Sequence, residues 1–451
     1  MDFKDKKVLV FGSGISGIGA CELLEKSGAD VILFDGNEKL HKEEIRMKLP
    51  SASKAQILIG QISDEQLKEL DLVVLSPGVP TDLPLVEKMK AAGIRIWGEV
   101  ELAYENAKGD VLAITGTNGK TTTTSLLGEI MKCWKESVYV VGNIGNPYTQ
   151  AAPKMTEESV TVAEISSFQL ETIDQFHPKV SAILNITPDH LNRHHTMEEY
   201  IRVKELITKN QTSEDTCVLN YEDPILRAFG ENLQTRVLFF SSERKLKQGL
   251  YLENETIWYE DPTQKLAICK VQELNIVGKH NYENVMAAAG MALSYGVPLE
   301  KIREAVKAFQ AVEHRIEFVT EKNGVVYYND SKGTNPDAAI KGIQAMSRPT
   351  LLIGGGYDKG SDYTEWIQSF DGKVKYLVLL GVTKEKIAET ARKCGFDNII
   401  MTESLEEAVK VCAENAKSGD AVLLSPACAS WDMFPSYEVR GRRFKELVRN
   451  L

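Results

Sequence analysis

The run Val111-Leu-Ala-Ile-Thr115, followed by Gly116-Thr117-Asn118-Gly119-Lys120-Thr121-Thr122-Thr-Thr-Ser-Leu-Leu127, leaves few folds open. An apolar strand passes through a glycine turn straight into a helix, the connection of a buried parallel sheet. N–H groups in such a turn point inward at an anion, and the helix N-terminus adds its positive end. Lys120 is placed to reach terminal phosphates and the Thr121 hydroxyl to take Mg²⁺. The spacing is irregular. The common phosphate loop has its first glycine about five positions before the Gly-Lys pair; here that position is Ile114, and Gly116 is the nearest glycine. A capped turn with a solvated lysine fits the same letters. The threonines argue against it, because β-branched residues are poor helix starters where only a cap is needed.

The same grammar recurs along the chain. Val8-Leu-Val-Phe11, the turn Gly12-Ser-Gly14-Ile15-Ser16-Gly17, a helical stretch to Lys26 and Val31-Ile-Leu-Phe-Asp35 form a βαβ opening with a literal G-x-G-x-x-G. Alone it reads as a dinucleotide site with Asp35 on a ribose hydroxyl, hence a dehydrogenase; close helix-to-strand packing explains its glycines equally well. Leu72-Val-Val-Leu75 ends in Ser76-Pro-Gly78, at a carboxyl end where open α/β sheets collect ligands. A second unit begins near Gly98, contains the Lys120 loop, and continues with Val160 to Glu164 and Val180 to Ile186. After Gln310 come Val325 to Asp330, Leu351 to Gly356, Tyr376 to Gly381 and Ala421 to Ser425. The expected fold is α/β in three domains: a Rossmann-like N-terminal domain over 1–98, a central P-loop-type mononucleotide-binding parallel sheet over 99–311, and a Rossmann-like C-terminal domain over 312–451.

A formal charge of −11 disfavours nucleic acid or an anionic membrane as partner, so an anionic ligand needs a local site. The seven cysteines are scattered without a Cys-x-x-Cys pair, which fits reduced thiols. The amino-terminal residues lack a signal-peptide core and no apolar run reaches membrane-spanning length, so a cytoplasmic location is expected.

Lys204 shares a helical stripe with Tyr200, Ile201 and Ile207. Snorkelling to water is one account of an inward lysine. The other is burial, which lowers the amine's pKa and leaves it neutral, able to bind CO₂ as a carbamate and ligate metal. Glu164 and His190, each after a strand, would complete such a site, although histidine is an unusual ligand for Mg²⁺. Asn281 and Asn284 stand three apart at a helix start; capping explains one of them, and the amide of the other suits phosphate or adenine. Arg315 is either a surface residue or part of a phosphate site. Asp330 to Asn335, Gly354 to Gly360 and Ser425 to Asp432 follow three strands and form a plausible pocket for a small carboxylate or amine.

Thr115-Gly-Thr-Asn-Gly-Lys-Thr121, Gly142-Asn143-Ile-Gly, Glu164-Ile-Ser-Ser-Phe-Gln-Leu-Glu171, His280-Asn-Tyr-Glu-Asn284, Asn329-Asp-Ser-Lys-Gly-Thr-Asn335 and Leu424-Ser-Pro-Ala-Cys-Ala-Ser430 occur in this order. With them the chain resembles, over its whole length, the ATP-dependent muramyl ligases of peptidoglycan synthesis, most closely their D-glutamate-adding branch. The resemblance implies UDP-N-acetylmuramoyl-L-alanine and D-glutamate as substrates, joined through an acyl phosphate; a monomer is expected. It implies that Ile15, Ser16, Asp35, Ser76 and Gly78 hold the UDP end, with Asn143 and His190 further along that substrate. ATP falls to the Gly116–Thr122 loop, Asn281, Asn284, Arg315 and Asp330. Two Mg²⁺ ions fall to Thr121 with Glu164 and to His190 with carbamylated Lys204. D-Glutamate falls to Thr334, Lys359, Ser430 and Tyr437, the last standing where some relatives carry Phe. Lys120, Glu164, His190 and Lys204 are the implied catalytic set. Sister ligases, folylpolyglutamate synthase, a dehydrogenase and a scaffold are the alternatives; the dehydrogenase leaves the Lys120 loop without a purpose.

Overall fold

The computed structural model describes residues 2–144, 147–276, 278–310 and 312–451, apart from the Asn192 side chain. Gly145, which ends the Gly142-Asn-Ile-Gly motif, and Ala311, at the expected second joint, lie outside the described residues. Three sheets define three α/β domains. The first two sheets lie in one compact unit, Met1–Ile268 with Asn284–Val306; the third lies in another, Cys269–Glu283 with Lys307–Leu451.

In the first sheet, β1 (Lys7–Phe11), β2 (Asp30–Asp35), β3 (Gln56–Ile59), β4 (Leu72–Leu75) and β5 (Arg95–Gly98) run parallel in the order β3-β2-β1-β4-β5. β4, Leu-Val-Val-Leu, is buried at every position, as a strand covered on both faces must be. The order reverses between β1 and β4, so the Gly12 and Ser76 turns open side by side at a switch point.

The second sheet comprises β6 (Asp110–Thr115), β7 (Val138–Gly142), β8 (Val160–Glu164), β9 (Val180–Ile183), β10 (Thr216–Asn220), β11 (Arg236–Ser241), β12 (Gly249–Glu253), β13 (Thr256–Asp261) and β14 (Gln264–Lys270). Its order is β14-β13-β12-β11-β10-β9-β6-β8-β7. The strands from β7 to β12 are parallel, and β13 turns back antiparallel on β12. This edge extension was not anticipated. The expected strand from Val180 to Ile186 stops at Ile183, because Asn185 leaves the ladder to bind the glycine turn after β6.

The third sheet, β15 (Glu317–Lys322), β16 (Val325–Asn329), β17 (Thr350–Gly354), β18 (Val374–Leu379), β19 (Ile399–Met401) and β20 (Ala421–Leu424), has the order β15-β16-β20-β17-β18-β19. Only β15 is antiparallel to its neighbour. The loops expected to carry chemistry follow the adjacent strands β16, β20 and β17. Among the described residues no helix is long and apolar enough to cross a membrane.

Candidate active site

At the first sheet, Gly12 has φ +108°, and a Cβ there would lie 2.8 Å from the Ser76 side chain, so the two turns meet only because this residue is glycine. The Ser76 hydroxyl donates to Gly12 O at 3.2 Å. Asp35 accepts from Ser13 N at 3.0 Å, Ser13 Oγ at 2.6 Å and Asn37 N at 3.0 Å. Partial burial pulls its pKa up, and these donors outweigh that and hold it below the usual value. The helix Ile15–Lys26 starts without a side-chain cap, and Ile15 is 77% exposed beside it. Its free N–H groups suit an anionic ligand.

The turn after β6 is braced from outside. Asn185 Oδ1 accepts from Asn118 N at 2.8 Å while its Nδ2 donates to Asn118 O at 3.1 Å. Thr117 N donates to Asn185 O at 2.9 Å, and the Thr117 hydroxyl both donates to Thr187 O at 3.1 Å and accepts from Thr187 N at 3.0 Å. Gly119, at φ +87°, leaves room for Asn284 Oδ1, which a Cβ would approach to 2.4 Å. That same oxygen accepts from Thr123 Oγ1 at 3.2 Å. Asn281 is buried on the first turn of the same helix, Lys279–Tyr295.

Lys120 Nζ folds over the turn and donates to Gly116 O and Thr117 O, each at 2.8 Å. Lys204 Nζ donates to the same Gly116 O at 2.8 Å. Lys204 is 1% exposed and lies 4.7 Å from the centroid of the Tyr200 ring, which rules out snorkelling. Burial foremost, and the nearby Lys120 charge second, push its pKa well down, with Asp189 opposing. The direction of that shift favours the neutral amine.

Glu164, at the end of β8, is 2% exposed. Its Oε1 accepts from Asn143 Nδ2 at 2.9 Å; its buried Oε2 has no hydrogen-bond partner among the described residues. A bare buried carboxylate oxygen is costly, so a cation there meets a need the protein leaves open. Thr122 Oγ1 is likewise buried and unpartnered, and Thr121 is buried on the first turn of the helix Lys120–Lys132. Hydroxyl and carboxylate oxygens are the donors Mg²⁺ prefers. His190 adopts φ +54°, packs on the Phe168 ring at 4.9 Å and stays half exposed. Among the described residues no three His, Cys, Asp or Glu side chains gather around one point.

In the second unit, Asp330 is 1% exposed, and its carboxylate accepts from Ser425 Oγ at 2.7 Å and Ile316 N at 3.3 Å. Burial pushes its pKa up to about 6 against the pull of Arg315. A raised carboxyl pKa adds stability at pH below the unfolded value of 3.8 and loses it as pH rises through about 6. Asp330→Asn is therefore expected to unfold at higher denaturant than the parent at pH 8, by about 3 kcal/mol for a shift of roughly two units. The gap should close below pH 4; parallel stability profiles from pH 4 to 8 would contradict this.

Arg315 Nε and Ser430 Oγ are buried without a partner among the described residues. Lys359 is exposed, 5.5 Å from the Trp431 ring, and Thr334 is half-buried. Tyr437 opens the helix Tyr437–Arg449, with Lys332 Nζ 5.6 Å from its ring. Arg440 was not legible in the sequence, where it sits in a charged helix. It is buried and donates to Ser331 O and Oγ and to Cys428 O, tying the ends of β16 and β20 together.

Residues 114–292 match the Mur ligase middle domain, 314–428 the glutamate ligase domain of Mur ligases, and 6–98 the MurD-like N-terminal domain. A UDP-N-acetylmuramoylalanine--D-glutamate ligase of Lachnoclostridium phytofermentans is 61% identical over 100% of this chain and 99% of its own. The chain belongs to the Mur ligase family. Proteins with the same description from Lachnospira eligens and Clostridioides difficile are 59% and 49% identical, each over 100% of both chains. Among solved Mur ligases, the UDP-N-acetylmuramate-alanine ligase MurC of Thermotoga maritima has a TM-score of 0.61 at 20% identity, covering 99% of each chain. MurF of the same organism in complex with ADP has a TM-score of 0.59 at 18% identity, over 100% of this chain and 95% of its own. At such identities these two establish the shared fold.

Proposed function

We propose that this Mur ligase joins D-glutamate to UDP-N-acetylmuramoyl-L-alanine at the expense of ATP, as a cytoplasmic monomer divided at 1–98, 99–311 and 312–451. The observation that carries the reading is the Lys120 turn beside the buried, unpaired Glu164 Oε2, in a chain 61% identical end to end to a D-glutamate ligase. Ile15, Ser16, Asp35, Ser76 and Gly78 take the UDP end, and Asn143 and His190 the muramoyl-alanyl part. Gly116 to Thr122, Asn281, Asn284, Arg315 and Asp330 take ATP. Thr334, Lys359, Ser430 and Tyr437 take D-glutamate.

The alanyl carboxylate attacks the γ-phosphorus, releasing ADP and becoming an acyl phosphate. The D-glutamate amine then attacks the acyl carbon, loses a proton, and expels phosphate from the tetrahedral intermediate. Two anions have to meet in the first step; a unit pair at about 4 Å repels by roughly 4 kcal/mol at an effective dielectric near 20. Lys120 offsets that repulsion, and Thr121, Glu164, His190 and carbamylated Lys204 would hold the Mg²⁺ ions. Bound there, Mg²⁺ supplies Lewis-acid charge to the phosphoryl oxygens.

Phosphate release is expected only with UDP-N-acetylmuramoyl-L-alanine, D-glutamate and ATP·Mg²⁺ present together, followed by a colorimetric phosphate assay. Equal turnover with L-glutamate, meso-diaminopimelate or a folate acceptor would overturn the assignment.

A further inference from the structure

Glu171 and Arg193 carry no role in the proposed chemistry, yet they form a nearly buried ion pair, with side chains 9% and 11% exposed. Arg193 Nη2 donates to Glu171 Oε2 at 2.7 Å, and its Nε to Oε1 at 3.3 Å. The same Nη2 donates to Val79 O at 3.0 Å, and Thr81 Oγ1 donates to Glu171 Oε2 at 3.2 Å. Val79 and Thr81 continue the Ser76-Pro-Gly78 turn of the first sheet. The pair therefore fastens that turn to the second sheet's catalytic end.

Its other side reaches His190. Arg193 N and His194 N donate to His190 O at 2.9 and 3.0 Å, closing the turn in which His190 takes its positive φ. The Arg193 guanidinium and the His190 ring both pack on Phe168, each at 4.9 Å. His194 Nε2 lies 2.9 Å from Ser167 Oγ, three residues beyond Glu164. A fork between two buried oxygens fixes direction as well as distance, which a lysine cannot do.

We infer that the Glu171–Arg193 pair is a positioning device that sets His190 by reference to the Ser76–Thr81 turn, so that the sugar-nucleotide loop and the phosphoryl-transfer end keep one register. The inference rests on the function proposed above. It distinguishes this pair from a general stabilising bridge, which would bear on all three substrates alike.

The test is steady-state kinetics on the full-length enzyme with each substrate varied in turn. Arg193→Lys and Glu171→Gln are expected to raise the KM for UDP-N-acetylmuramoyl-L-alanine roughly ten-fold and lower kcat, with the KM for D-glutamate within about two-fold of the parent. The double variant should be no worse than the poorer single one, since the two residues act as a unit. Thr81→Val, which removes one hydrogen bond and no charge, should shift the same KM in the same direction by less, and serves if a charge variant fails to fold. Equal shifts in all three KM values, unchanged kinetics, or additive effects in the double variant would each overturn the inference. An inactive parent enzyme would instead refute the proposed function.

Discussion

Lys120→Met is expected to lower phosphate release by roughly 10³-fold or more, the scale seen when one preorganised charge is removed from a transferring group. The Lys120 ammonium donates to the two loop carbonyls that it covers. The turn itself is braced by Asn185 and Thr187. Its fold should therefore survive the substitution, and the melting temperature should move by no more than about 2 °C, as for a partly exposed side chain. The loss should fall on kcat, because the charge acts most when phosphate and carboxylate are forced together. A variant that kept activity within about ten-fold of the parent would mean that another cation carries the reaction.

The second large effect is at Lys204. Lys204→Ala is expected to lose activity by a similar factor, roughly 10³, and to regain part of it when millimolar acetate or a similar short carboxylate is supplied. A neutral amine attacks CO₂ to give a carbamate and a proton, replacing a potential cation by an anion. Burial and the Lys120 charge both favour the neutral form that this step requires. Carbon NMR of the parent enzyme equilibrated with ¹³C-labelled bicarbonate should reveal one carbamate resonance that Lys204→Ala lacks. Full activity of the bare variant would remove the carbamate from the mechanism.

Much of the fold was written in local pattern. The runs at Val8, Val31, Leu72, Val111 and Ala421 are buried strands because branched apolar residues fill both faces of a parallel sheet. The β12–β13 hairpin was not legible, since β13 is half-buried at all but one position and reads as ordinary surface chain. Lys204 shows the limit at the site. Its stripe is the same whether the amine reaches water or stays inside, and only the packing of Tyr200 and the Gly116 carbonyl decides between them. Arg193 and Glu171 stand 22 residues apart with no motif spacing to link them. A pair of that kind is created by folding.

The bracing of Thr117 and Asn118 by Asn185 and Thr187 bears on portability. The usual phosphate loop carries the glycines that set its shape within one strand–turn–helix segment. Here the turn lacks the usual first glycine, and its backbone shape is stored in another loop about 70 residues away. Grafted alone onto a foreign sheet, Gly116 to Thr121 should relax and lose phosphate affinity. Moved together with Leu184 to Thr187, it should keep it. The two segments form one structural unit, and a substitution in either is expected to be tolerated only when the other answers it.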